Sequence, residues 1–260
     1  MSVTVYVATS DPALSKGRAE AAQKVLEYFG DVLPELDLKV LLDSAEWYEL
    51  RERSGEENRG VFYRVNAHTF EDANWPYHLR DQLATVDAVT LNLKFTCNAA
   101  VYLHDSTCQN LTALTMTLSH ELQHFVQYGR DRRVWAYNIV VTNLCAETIE
   151  ALGLEWQDIP IEFEARLVAK RACEAIVGTQ ATAVYIDERV ERGSLSRDVA
   201  DWRFIRGIDT SPGNTYDSRS KTLHLYESLA RFRPELQAIL GGLKDDPDFA
   251  DLNLDEAFGL

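Results

Sequence analysis

The sequence feature that most constrains this chain is the segment HELQH at residues 120–124, which has the pattern HExxH. It lies in the middle of a predicted helix at residues 111–128, with Asn110 as its N-cap and Gly129 at its end. Residues four apart on a helix share one face, so His120 and His124 lie about one turn apart and can bind one metal ion. The spacing therefore predicts a helix here and a metal site on its surface.

The residue between the histidines adds a chemical function to this site. Glu121 projects about 100° round the helix from His120, so it can reach water at a metal without itself being a ligand. A carboxylate in that position can act as a general base on a metal-activated water. The motif thus predicts hydrolysis, and a helix with two surface histidines that bind no metal is the alternative.

A catalytic zinc needs a third protein ligand, and the candidates are two carboxylates on a later predicted helix at residues 160–177. Glu162 and Glu164 lie in its first turns among small and apolar residues. Two residues apart on a helix, they cannot both point at one metal. Glu162 also suits the helix N-terminus, where the macrodipole stabilises a carboxylate.

The segment HELQH, followed by PIEFEA at residues 160–165, resembles the zincin metallopeptidases. Within them it resembles the gluzincins, in which a Glu on a later helix is the third zinc ligand. It is similar to poorly characterised bacterial and phage-borne zincins and to ImmA/IrrE-type peptidases, which carry a Glu–Ala pair on their second helix. The resemblance extends over residues 87–177.

The resemblance implies one Zn²⁺ per chain and a role for each matching residue. It assigns His120, His124 and Glu164 as the zinc ligands, with Glu162 as the fallback, and Glu121 as the catalytic base. It implies a metallopeptidase, which we expect to be an endopeptidase rather than an exopeptidase.

Three patterns of other zinc hydrolases are absent or do not match. The chain has neither the HExxHxxGxxH of metzincins nor the NExxxD of the thermolysin type. Cys108 lies upstream of the motif, as a cysteine ligand does in peptide deformylases, but its neighbours do not match, and a packed free cysteine is the simpler expectation.

The resemblance and the patterning together predict an α+β, zincin-like fold. Strands are expected at residues 2–7, 38–42, 61–65, 87–95 and 99–103. We expect the last two to pair in a small mixed or antiparallel sheet, with residues 99–103 as an edge strand beside the HExxH helix. An edge strand there could bind an extended peptide by strand addition.

The remaining chain is expected to complete one domain over residues 1–260. It divides into an N-terminal α/β part (1–86), a catalytic core (about 87–178) and a helical C-terminal part (179–260). Further helices are predicted at residues 11–29, 69–86 and 134–152. A separable N-terminal piece ending near Val86 is the alternative.

The charge and composition of the chain limit the classes of molecule that it is expected to bind. The 260 residues contain 26 Lys and Arg against 41 Asp and Glu, a formal net charge of −15. No basic stripe is available for nucleic acid or for an anionic membrane. A peptide or protein is therefore the expected substrate. With no signal-like N-terminus and no long apolar stretch, we expect a cytoplasmic protein whose four cysteines are reduced.

Other roles stay open at the level of sequence. Glu147 and Glu150 are candidates to hydrogen-bond the histidines. The residues able to stabilise an oxyanion are Tyr128, Tyr137, Arg166, Tyr185, Tyr216 and His224. The alternatives to a general peptidase are a non-catalytic interaction protein, a regulatory protease with one partner substrate, and a metal-dependent amidase.

Overall fold

The described part of the chain is a mixed α+β structure. The computed structural model describes residues 2–9, 11–42, 60–72, 82–193, 196–250 and 252–253. Helices predominate and a small mixed sheet accompanies them, which confirms the predicted α+β class. Within these ranges, no helix combines the length and apolar character needed to cross a membrane.

All described strands lie before residue 104, and most of the described helices follow them. The strands are β1 Val3–Val7, β2 Leu38–Leu42, β3 Gly60–Arg64, β4 Ala84–Val86, β5 Leu93–Phe95 and β6 Ala99–Leu103. The helices are α1 Pro12–Phe29, α2 Ala67–Asp72, α3 Asp105–Cys108, α4 Leu111–Arg130, α5 Arg132–Thr142, α6 Ala146–Ala151, α7 Pro160–Ile176, α8 Thr179–Arg192, α9 Ser196–Gly207, α10 Ser218–Ser228 and α11 Arg233–Leu243.

The main sheet has the strand order β1-β2-β6-β3. The pairs β1–β2 and β2–β6 are parallel, whereas β3 runs antiparallel to β6. The prediction that residues 99–103 form the edge strand is therefore wrong: β6 lies inside the sheet, and β3 is at the edge of the described strands. All five residues of β6 are buried, as expected for an apolar run covered on both faces.

The strand predicted at residues 87–95 is also shorter than expected. Only Leu93–Phe95 is extended, and it pairs with β4 in a separate two-stranded sheet rather than with β6. The Asp87 carboxylate accepts hydrogen bonds from the backbone N–H groups of Val89 (2.9 Å) and Thr90 (2.7 Å). This Asx turn, followed by Leu91 at a φ of 58°, reverses the chain where alternation predicted a strand.

Helix α4 begins as predicted, with the Asn110 side chain accepting from the Ala113 N–H at 3.0 Å. It continues through Gly129 to Arg130, so Gly129 does not end it. A Cβ at Gly129 would lie 2.3 Å from Cβ of Pro34. Glycine is needed here for a close approach of two segments rather than for a helix stop.

The helix predicted at residues 134–152 is two helices, α5 and α6. Asn143 ends α5, and its side chain donates to the Ile139 carbonyl at 2.8 Å, an alternative to continuing the helix. The helix predicted at 69–86 is represented by α2 at its start and by β4 at its end, and residues 73–81 lie outside the described ranges.

The core that positions the site is formed by α4 between the sheet and α7. Leu118, Leu122 and Phe125 of α4 are fully buried in the main apolar cluster together with Val101 of β6. Helix α4 contacts α7 along its length and also contacts β3 and β6. The HExxH segment is thus held between the edge strand β3 and the Glu-bearing helix α7.

Candidate metal centre

The two histidines of the motif point their ring nitrogens toward each other. Nε2 of His120 and Nε2 of His124 are 3.1 Å apart, and the rings are nearly perpendicular. The side chain of His120 is 22% exposed and that of His124 is 11% exposed. Helical spacing brings the rings together, and solvent still reaches one side of the pair.

Glu162 of α7 completes a three-residue group with these histidines. Its Oε2 lies 3.6 Å from Nε2 of His120, and its Oε1 lies 3.5 Å from Nε2 of His124. Ligand atoms about 2.0–2.1 Å from a tetrahedral zinc lie about 3.3 Å from one another. Among the described residues, this is the His/Cys/Asp/Glu group whose donor atoms converge closely enough for a metal ion.

Of the two candidates for the third ligand, Glu162 and not Glu164 lies beside the histidines. Residues two apart on a helix are rotated by about 200°, so only one of the two can face the pair. The packing of α7 on α4 directs Glu162 to the pair, and Glu164 contacts Gln123 and Gln127 instead. The geometry thus supports Glu162, the second choice from the sequence, as the candidate third ligand.

A partly buried chain of ion pairs holds the Glu162 carboxylate. Nη1 of Arg166 lies 2.9 Å from Oε2 of Glu162, and Nε of Arg166 lies 2.9 Å from Oδ1 of Asp201. Burial alone raises the pKa of Glu162, but His124, His120 and Arg166 more than offset it, so the pKa is lowered. The group remains an anion, the form that a metal requires.

The pKa values of the two histidines shift in opposite directions because their surroundings differ. Burial lowers the pKa of His124 to about 4, so this ring is neutral at pH 7. Burial also lowers the pKa of His120, but its contact with Glu162 and the nearby Glu121 outweigh burial and raise it. The ring of His124 is thus ready to bind a cation, whereas His120 holds its proton more tightly than an ordinary histidine does.

Glu121 is buried where α4 meets the edge strand β3. The backbone N–H of Phe62 in β3 donates to its carboxylate, and burial raises its pKa to about 7. A Cβ at Gly60 would lie 2.7 Å from Cγ2 of Thr117 and 3.3 Å from Cγ of Glu121, so glycine lets the strand approach the helix. A carboxylate with a pKa near 7 is suited to general base catalysis.

Sequence reasoning missed the polar side chains that surround Glu164. Its Oε2 accepts hydrogen bonds from Gln123 (3.1 Å), Gln127 (2.8 Å) and Ser218 of α10 (2.7 Å). Gln127 in turn lies 2.8 Å from Nδ1 of His124. The spacing of Gln127, three residues after His124, is a signal that could have identified it.

The other candidate residues are distributed around the molecule. Of the proposed oxyanion donors, Arg166 is at the His/Glu group, whereas Tyr128 donates to Asp248, Tyr216 stacks on Phe163 and His224 is exposed. Glu147 and Glu150 are exposed at the surface, and the supporting hydrogen bond to His124 comes from Gln127 instead.

Cys108 is buried in α3 as a free thiol, and it is not part of the three-residue group.

A comparison with protein-family models, with curated proteins and with solved structures finds no match.

Proposed function

We propose that this chain is a zinc-dependent metallopeptidase whose ligands are His120, His124 and Glu162. The observation that carries the proposal is the convergence of two imidazole nitrogens and a carboxylate at separations of 3.1, 3.5 and 3.6 Å. These separations, of which the two to Glu162 involve different carboxylate oxygens, are close to the roughly 3.3 Å between the ligand atoms of a tetrahedral zinc. The partial exposure of His120 leaves one side of the group open, as a catalytic zinc requires.

Each residue of the site would have a separate task. When bound, Zn²⁺ would lower the pKa of a water molecule and polarise a carbonyl oxygen. Glu121 would accept a proton from the attacking water and deliver it to the leaving nitrogen, for which a pKa of about 7 is well placed. Arg166 would keep Glu162 charged and oriented.

The edge strand β3 is the proposed substrate platform, in place of residues 99–103. It is antiparallel to β6 on one side, and its Phe62 N–H points to Glu121 on the other. An extended peptide adding to this edge would pass directly beside the catalytic base. An HExxH helix between an edge strand and a Glu-bearing helix supports a zincin-like fold and internal cleavage of peptides.

The cytoplasm remains the proposed location of this activity. All four cysteines are free thiols, three of them buried. Reduced thiols are the rule in the cytoplasm.

The first experiment measures metal content and cleavage together. The purified protein, loaded with Zn²⁺ and dialysed, should contain one zinc per chain and should cut members of a mixed-sequence peptide library, as read by mass spectrometry. Glu121→Gln should retain the zinc and lose cleavage, because the general base is absent. Glu27→Gln, at an exposed position on α1, is the matched control and should behave as the wild type.

Two outcomes would contradict the proposal in different ways. No zinc after loading would remove the metal site. Zinc with no cleavage of peptides or of candidate proteins, unchanged by Glu121→Gln, would indicate an interaction protein with a structural ion.

A further inference from the structure

Glu164, the carboxylate that does not face the histidines, has an unusually complete set of hydrogen-bond donors. It is 6% exposed, and three side chains from two helices converge on its Oε2. Nη1 of Arg130 lies 3.4 Å from its other oxygen. A buried carboxylate with this many charge-assisted hydrogen bonds is fixed in place, so it can orient its neighbours.

The amide of Gln127 is oriented by this carboxylate. Its Nε2 donates to Oε2 of Glu164 at 2.8 Å and to the Ile161 carbonyl at 3.0 Å. A side-chain amide nitrogen has two hydrogens, and both are used. The amide oxygen must therefore be the atom that lies 2.8 Å from Nδ1 of His124.

An amide oxygen only accepts hydrogen bonds, so Nδ1 of His124 must carry the hydrogen. An imidazole that binds a metal is neutral and has one N–H, so a hydrogen on Nδ1 leaves the free electron pair on Nε2. That pair lies on the side of His120 and Glu162, where the metal is proposed. The tautomer that can bind a metal is thus set by Gln127 and Glu164, neither of which is a proposed ligand.

We infer that Gln127 and Glu164 are positioning residues that fix the tautomer and the ring orientation of His124. The inference deepens the proposed function, since it assigns these residues to the same metal centre. It also gives the two carboxylates of PIEFEA different tasks: Glu162 faces the cation, and Glu164 acts through Gln127. Ser218 links α10, in the C-terminal part of the chain, to this support.

The experiment reads the tautomer directly in the metal-free protein. Long-range ¹H–¹⁵N NMR spectra of the histidine rings should show His124 protonated at Nδ1 in the wild type. In Gln127→Met, which keeps the side-chain length but removes the acceptor, the Nε2–H form should gain population. The dissociation constant for Zn²⁺, measured by competition with a chelator, should rise by about 10- to 100-fold.

Glu164→Met tests whether this carboxylate acts through Gln127. Alone it should weaken Zn²⁺ binding less than Gln127→Met, because the Ile161 carbonyl still holds the amide. Added to Gln127→Met, it should cause little further loss, because residues that act in series are not additive. Glu235→Met is the matched control: it removes a carboxylate bonded to Thr148 and Cys145, and the Zn²⁺ affinity should not change.

A wild-type His124 that carries its hydrogen on Nε2 would overturn the inference without any variant having to fold. Equal tautomer populations and Zn²⁺ affinities in the wild type and Gln127→Met would overturn it as well. A wild type with the Nδ1–H tautomer but no Zn²⁺ binding would instead contradict the metallopeptidase proposal and leave the positioning of the ring established.

Discussion

The two ends of strand β3 contact two different clusters of charged and polar side chains. At its C-terminal end, Nη1 of Arg64 lies 2.6 Å from Oδ2 of Asp246 and 3.1 Å from Oδ2 of Asp248. We call Arg64, Asp246 and Asp248 the tail cluster. At its N-terminal end the strand approaches Glu121, which lies next to His120, His124 and Glu162. We call these last three residues the His/Glu group.

In the tail cluster both carboxylates pair with a cation and with further donors, whereas in the His/Glu group the two ring nitrogens face each other and a carboxylate. A protein cation lies within hydrogen-bond distance of both aspartates, and Tyr128 and Asn66 donate further hydrogen bonds to them. In the His/Glu group, two imidazole nitrogens and the Glu162 carboxylate converge, and Arg166 pairs with both Glu162 and Asp201. Oppositely charged side chains that pair with each other stabilise a fold. Nitrogen and oxygen acceptors that converge on one point are typical of a cation site.

The largest effect is expected from His124→Ala, which breaks the His/Glu group. It should weaken Zn²⁺ binding by well over the roughly 100-fold that loss of a supporting hydrogen bond costs, because a ligand is removed outright. Chelator competition measures the affinity, and chemical denaturation of the metal-free protein measures the stability. A variant that still binds Zn²⁺ with wild-type affinity would contradict the assignment of His124 as a ligand.

Asp246→Asn should break the tail cluster instead. Asp246 is fully buried, so removing its charge leaves Arg64 with only Asp248 as a counter-ion, and we expect a loss of about 3 kcal/mol in the free energy of unfolding. Urea denaturation of the metal-free protein measures this loss. The Zn²⁺ affinity should be unchanged, and a parallel loss of metal would mean that the two ends of β3 are not independent.

The pH dependence of the free energy of unfolding tests whether the pKa of Glu121 is raised. Its pKa is raised to about 7 in the folded protein from an ordinary glutamate value near 4.5, so the carboxyl loses its proton at a lower pH in the unfolded chain than in the folded one. The stability associated with the protonated carboxyl is complete below pH 4.5 and is lost as the pH rises through 7.

Glu121→Gln should therefore gain stability over the wild type as the pH rises from 5 to 8. The gain should reach about 3 kcal/mol at most, since one pKa unit corresponds to about 1.4 kcal/mol. Urea denaturation of both metal-free proteins across this range measures the difference, which also contains the effect of the Glu121 charge on the pKa of His120. A difference that stays constant with pH would show that the pKa of Glu121 is not raised.

The smallest effect is expected from Gly60→Ala. The added methyl group would meet Cγ2 of Thr117 at 2.7 Å and the Tyr102 carbonyl at 3.0 Å, so strand and helix must separate slightly. We expect a cost of about 1–2 kcal/mol in stability. Cleavage should fall more than Zn²⁺ affinity, because Glu121 and not a ligand lies at this contact. Thr117→Ser in the same chain should recover part of both losses.

The helix termini marked by local chemistry were predictable from the sequence. Asp11 caps α1, whose first residue is Pro12, and Asn110 caps α4, because each signal acts within one turn. The strand at residues 87–95 was not predictable by alternation, since the side chain of Asp87 competes for the backbone and turns the chain. The position of β6 inside the sheet depends on β2 and β3, which are distant in sequence.

By itself, the sequence determined the HExxH helix, because a spacing of four residues brings His120 and His124 together on any helix. It also determined that a carboxylate of PIEFEA was available as a partner. Only the tertiary structure decided which one, because the rotation of α7 about its axis is set by its packing against α4. That rotation brings Glu162 to the histidines and gives Glu164 to Gln127 and to Ser218, a residue more than fifty positions further along the chain.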